Sequence, residues 1–139
     1  MKINRAIFCY IEYELYHYRK SRKMIAEMRD DIINSSSAGK KEIQSDCGLA
    51  DSTAAKASKL ISSPALMKLE KNVGAIDDGI ARLSDVHKQL FELKYIQNKE
   101  FDYICDMIPI SRRSYFRLRK DIVAMVGWYM GIVSDVMVD

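Results

Sequence analysis

An all-α fold is the class that the 139-residue sequence predicts. Apolar residues recur at three- and four-residue steps, which is the period of a helix with one buried face. Only two prolines and six glycines punctuate the chain. Few segments show the sustained apolar/polar alternation of a half-buried strand. The length suits one domain, or a small domain with helical extensions, and a composition 48% hydrophobic and 29% charged is that of a folded chain.

The first element runs from about Asn4 to Ile33. Ile7, Ile11, Leu15, Tyr18, Ile25, Met28 and Ile32 line one side of a long helix. Phe8, Tyr10, Tyr13, Tyr16 and Tyr18 gather early in it and are expected to pack against neighbouring helices, the alternative being a partner-binding face. Asn34 to Gly39 ends the helix, and the polar stretch from Ser35 to about Leu49 is the best linker. Asp51-Ser52-Thr53 can cap a short helix through Ile61. Ser63-Pro64 then signals a new helix start.

The most regular pattern follows. Leu66, Leu69, Val73, Ile76, Ile80, Leu83, His87 and Leu90 alternate three- and four-residue steps, so one helix is expected from Pro64 to about Tyr95. Its seam suits the N-terminal helix or a second copy of the chain, which would make a homo-oligomer through Leu66–Leu90. His87 reads as a polar seam residue that sets register. His17, between Tyr16 and Tyr18, reads as a surface or packing residue. Gly74 and Gly79 lie off the seam and weaken the helix by about 1 kcal/mol each.

After a short connection at Gln97-Asn98-Lys99 comes FDYICDMIPISRRSYFRLRK, Phe101 to Lys120. It has the pattern of a helix-turn-helix. Phe101, Ile104, Ile108, Ile110, Tyr115 and Leu118 can share a core, and Cys105 is small enough for a close helix approach. Ser111 can cap the second helix. Pro109 occupies the turn position often held by glycine, and proline cannot adopt a positive φ, so another turn geometry is required. The second helix is expected to continue to Tyr129 or Met130, with Gly131 as its cap. The chain thus divides into 1–50, 51–95 and 96–139.

Net charge, +3, is only mildly basic, but Ser111 to Lys120 contains five basic residues and no acid. That basic outer face suits the major groove of DNA better than a merely solvated helix face, and the expected DNA-facing set is Ser111, Arg112, Arg113, Ser114, Phe116, Arg117, Arg119 and Lys120. Arg112, Arg113 and Arg117 occupy the end of a recognition helix that enters the major groove. An arginine fork can bind guanine O6 and N7 together, and Phe116 can meet a thymine methyl group. Arg119 and Lys120 lie further along and suit phosphates, as do the two serines.

Other chemistry lacks support. Cys9, Cys47 and Cys105 are widely spaced and read as reduced thiols. Glu12, Glu14, Asp30, Asp31, Asp77, Asp78 and Asp85 are expected on helix surfaces, with no pairing that suggests a metal site or acid–base catalysis. No phosphate loop or nucleophile motif is present, so neither enzymatic activity nor a cofactor is expected. No apolar run approaches a membrane span, and with no signal-peptide pattern a cytoplasmic location is expected.

The segments IEYELYHY (Ile11–Tyr18), EMRDDII (Glu27–Ile33), STAAKASKL (Ser52–Leu60), LFELKY (Leu90–Tyr95) and ISRRSYFRLRKDIV (Ile110–Val123) together resemble the phage late-gene transcriptional regulators of the RinA/ArpU type. The resemblance implies a DNA-binding segment like region 4 of sigma factors, with Ser111 to Lys120 as the DNA-contacting helix. It also implies a phage or prophage activator of packaging, structural or lysis genes, acting on double-stranded DNA in a bacterial host, with host RNA polymerase as a candidate partner. The alternatives are a small terminase subunit that recognises packaging DNA, and a helical interaction module that never touches DNA.

Overall fold

The structure, a computed structural model, describes residues 3–38 and 63–134. The expected linker beyond Ala38, the short helix at 51–61, Cys47 and the last five residues lie outside that range. Among the described residues all regular structure is helical. In chain order the helices are α1 (Arg5–Tyr16), α2 (Tyr18–Ala38), α3 (Pro64–Ala81), α4 (Asp85–Phe91, continued by a wider π-helical turn over Glu92–Ile96), α5 (Phe101–Met107) and α6 (Arg112–Met130). No helix among the described residues is long and apolar enough to cross a membrane.

Both long helices expected from the sequence are interrupted. The N-terminal one breaks at His17, where the backbone leaves the helical region and the His17 N–H bonds to the Tyr13 carbonyl at 3.1 Å. The imidazole Nδ1 reaches the same carbonyl at 2.7 Å and stacks on the Tyr13 ring, centroids 4.0 Å apart. A carbonyl can only accept, so Nδ1 carries the proton. The central helix breaks after Ala81. The N–H groups of Arg82 and Leu83 close tight 3₁₀-type turns onto the Gly79 and Ile80 carbonyls, and a new helix starts behind Ser84. Ser84-Asp85, a capping residue before an acidic first turn, was the sequence signal for that start. The regular seam hid it, because the seam residues stay on the buried side across the break.

His87 is therefore not a register residue of a coiled seam. Its Nε2–H donates to Asp121 at 3.0 Å, and Nδ1 stands 2.6 Å from the Ser84 hydroxyl, so it ties the start of α4 to α6.

The chain forms two compact units, one of residues 1–19 with 71–139 and one of residues 20–70. Boundaries at 50 and 95 do not follow them. In the second unit, Arg29 bonds to Glu70 and Lys23 lies 4.0 Å from Glu27. In the first, Ile11 and Leu15 of α1 join Ile76, Leu83, Leu90, Tyr95, Ile104, Tyr115, Ile122 and Val126 in one core. The seam from Ile76 to Leu90 is thus filled from within the chain, where a second copy had been a candidate. The partners of α1 are α6 and the turn at 92–96.

Two glycines show how tightly α6 is enclosed. A Cβ at Gly79 would stand 3.1 Å from the Val126 Cα, so α3 and α6 approach closely there. A Cβ at Gly74 would meet nothing. Gly74→Ala should therefore stabilise the protein by about 0.5–1 kcal/mol through helix propensity alone. Gly79→Ala gains the same propensity but forces the helices apart, and overpacking of about 1–3 kcal/mol outweighs it. Thermal unfolding followed by circular dichroism should show the two midpoints moving in opposite directions; a rise for both would contradict the packing.

Candidate nucleic-acid interface

The candidate interface lies on α5, the turn after it, and α6. The preceding element ends at Asn98, whose left-handed φ of 53° reverses the chain while Lys99 N–H bonds back to the Leu93 carbonyl at 2.9 Å. From α5, Ile104 points fully inward and Cys105 is half-buried. Burial, then Asp102 and Asp106, push the Cys105 thiol above its ordinary range, so it stays protonated.

The turn answers the question raised by Pro109. Ile110 N–H bonds to the Ile108 carbonyl at 2.7 Å, which closes a three-residue γ-turn with proline at its centre. That turn suits proline's fixed negative φ, so no left-handed residue is needed. Ile108 is buried and Ile110 half-buried on either side of the exposed ring.

Ser111 then caps α6. Its Oγ accepts from the Ser114 N–H at 3.1 Å and donates to the Ser114 Oγ at 3.0 Å. The Ser111 proton is thereby committed, and the Ser114 hydroxyl proton remains available to a ligand. At the other end Gly131, with φ 80°, closes the helix, and Ile132 and Val133 fold back onto the Gly127 carbonyl.

Burial along α6 changes half-way. From Ile122 to Gly127 six consecutive residues are buried. On the first turns only Tyr115 and Leu118 are buried, so that part of α6 keeps an open outer face. Arg113, Arg117 and Lys120 follow each other there at helical spacing, all exposed, and no salt bridge neutralises them among the described residues. Ser111, Arg112 and Phe116 are also exposed, and Ser114 is half-buried. The Arg112 guanidinium stands 5.9 Å from the Phe101 centroid and 5.7 Å from that of Phe116.

Arg119 does not join this face. Its Nε and one Nη donate to the two Glu12 oxygens at 2.9 and 2.5 Å, and its guanidinium lies 5.0 Å from the Phe8 ring centroid. Glu12 is correspondingly not a surface acid. It is buried and also accepts from the Tyr95 hydroxyl at 2.7 Å. Burial alone would raise the Glu12 pKa, but the bonds from Arg119 and Tyr95 and the charges of Arg119 and Lys94 outweigh it and hold the carboxyl below its ordinary 4.5. Tyr95 is shifted upward, by burial and then by the charge and hydrogen bond of Glu12. Nearby, Lys94 donates to the Tyr16 hydroxyl at 2.8 Å and lies over the Tyr16, Tyr95 and Tyr115 rings. This network fixes α6 against α1, and the sequence reading missed it. The signal was the place of Glu12 within the stripe of Phe8, Ile11 and Leu15.

The N-terminal aromatic cluster, which spans α1 and the first residue of α2, is divided. Phe8 and Tyr18 are half-buried, whereas Tyr10, Tyr13 and Tyr16 are 39%, 57% and 41% exposed.

Among known proteins, no family model, no curated protein and no solved structure matches the chain.

Proposed function

We propose that the protein is a sequence-specific DNA-binding regulator of transcription that lays the first turns of α6 in the major groove. One observation carries the reading. The open face of a serine-capped second helix bears Arg113, Arg117 and Lys120 without acidic partners among the described residues, flanked by Arg112. A solvated helix face more commonly carries acids that offset its bases, and a run of cations alone is what a polyanion requires. The resemblance to the RinA/ArpU regulators supports the narrower reading, an activator of phage or prophage late genes acting in the bacterial cytoplasm with host RNA polymerase.

Gel-shift titration across a salt series tests it. Neutralising about two to four phosphates should give a log–log slope of about −2 to −4. Absence of duplex binding at low salt would remove the DNA reading and leave the helical interaction module. Light scattering separates the regulator, a monomer or dimer, from a small terminase subunit, which would form a ring of many chains.

A further inference from the structure

We propose that Phe116 reads the 5-methyl group of a thymine, between guanines read by Arg113 and Arg117. This rests on the DNA reading and assigns which chemistry each side chain recognises. Phe116 is 43% exposed on a face otherwise made of cations and serines. An apolar ring amid cations has a natural counterpart in the major groove of a polyanion, where the thymine methyl is the apolar group on offer.

The ring is also held in place. Phe101 lies nearly parallel to it, centroids 6.1 Å apart at 21°, and Tyr115 meets it edge-on at 5.2 Å and 87°. A side chain immobilised before binding loses little entropy on contact. Arg112 sits over the same two phenylalanines, so its guanidinium braces the plate and supplies charge to the backbone, while Arg113 and Arg117 keep their forks free for bases. From residue 113 to residue 117 the helix rises about 6 Å. That is close to two base-pair steps of about 3.4 Å, and Phe116 falls within the interval. The recognised element is therefore a thymine within about two base pairs of guanines on both sides.

The test uses the full chain. Preferred duplexes are selected from a random library, each thymine is replaced in turn by deoxyuridine, and the ratio of affinities for the thymine and uridine duplexes is measured. At one thymine the wild type should lose about fourfold, the weight of one buried methyl group. Phe116→Ala should bring that ratio to one, and Phe116→Leu should keep part of it. A general loss of affinity cancels in the ratio, so a weaker variant remains informative. If no thymine is sensitive, or if Phe116→Ala keeps the full ratio, the assignment is wrong while DNA binding stands. Failure to enrich any duplex brings down both.

Discussion

Changing Arg112, Arg113 and Arg117 together to alanine is expected to abolish specific duplex binding while leaving the helical content unchanged. Arg113 and Arg117 should carry most of the loss. Each bidentate guanine contact is worth about 1–3 kcal/mol, so the pair accounts for roughly 30-fold to 25,000-fold in affinity. Arg112→Ala alone should cost less and weaken all sequences similarly, because its guanidinium rests on Phe101 and Phe116. Lys120→Ala should also act uniformly and reduce the salt slope by about one. Folding should not suffer, since all four side chains are exposed and alanine is the better helix former. Competition gel shifts with specific and scrambled duplexes give the measurement. Retention of both affinity and preference by the triple variant would refute the assignment of this face.

Breaking the Glu12–Arg119 pair from one side should be the most destabilising single polar change. Glu12→Ala leaves a guanidinium that is 28% exposed and a buried Tyr95 hydroxyl without their acceptor. Removing one partner of a buried pair costs about 3–5 kcal/mol, and partial access of water to Arg119 brings the expectation to about 2–4 kcal/mol. The triple replacement Glu12→Leu, Arg119→Met, Tyr95→Phe should recover much of it, because apolar side chains of similar volume often substitute for buried ions without loss. The pair also sets an acid limit. The folded Glu12 pKa lies below its ordinary 4.5, so its contribution is full above that value and is lost as pH falls through the depressed folded value. Urea unfolding at neutral pH and between pH 5 and 3 should show this acid limb in the wild type and a weaker one in Glu12→Gln. A Glu12→Ala stability within about 0.5 kcal/mol of wild type would mean the pair has no more than the weight of a surface contact.

Apolar periodicity reports which side of a helix is buried. It identified the buried sides correctly, since Ile11, Leu15, Ile76, Leu83, Leu90, Tyr115 and Leu118 are all in the core. It could not report whether a helix is continuous. A seam that resumes its phase after Ser84 looks unbroken, and the break at His17 consumes a single residue. The caps were legible because they depend on local chemistry, as at Ser111 and Gly131. The Glu12–Arg119 pair was not, because its partners lie 107 residues apart and no local rule connects them. Exposure of the basic face was legible from spacing. The diversion of Arg119 from that face follows from the same distant contact.

That separation also sets the order of events during synthesis. Helix α1 is made before α6, and Ile11, Glu12 and Leu15 find α6 only once Arg119 has been made. At about 5–20 residues per second, the 107 residues between Glu12 and Arg119 correspond to roughly 5–20 s of waiting. Through that interval Glu12 is without its guanidinium partner, and α1 lacks the part of its packing that α6 supplies. A nascent chain stalled before residue 111 lacks the whole of α6, so premature termination leaves α1 without one of its packing partners.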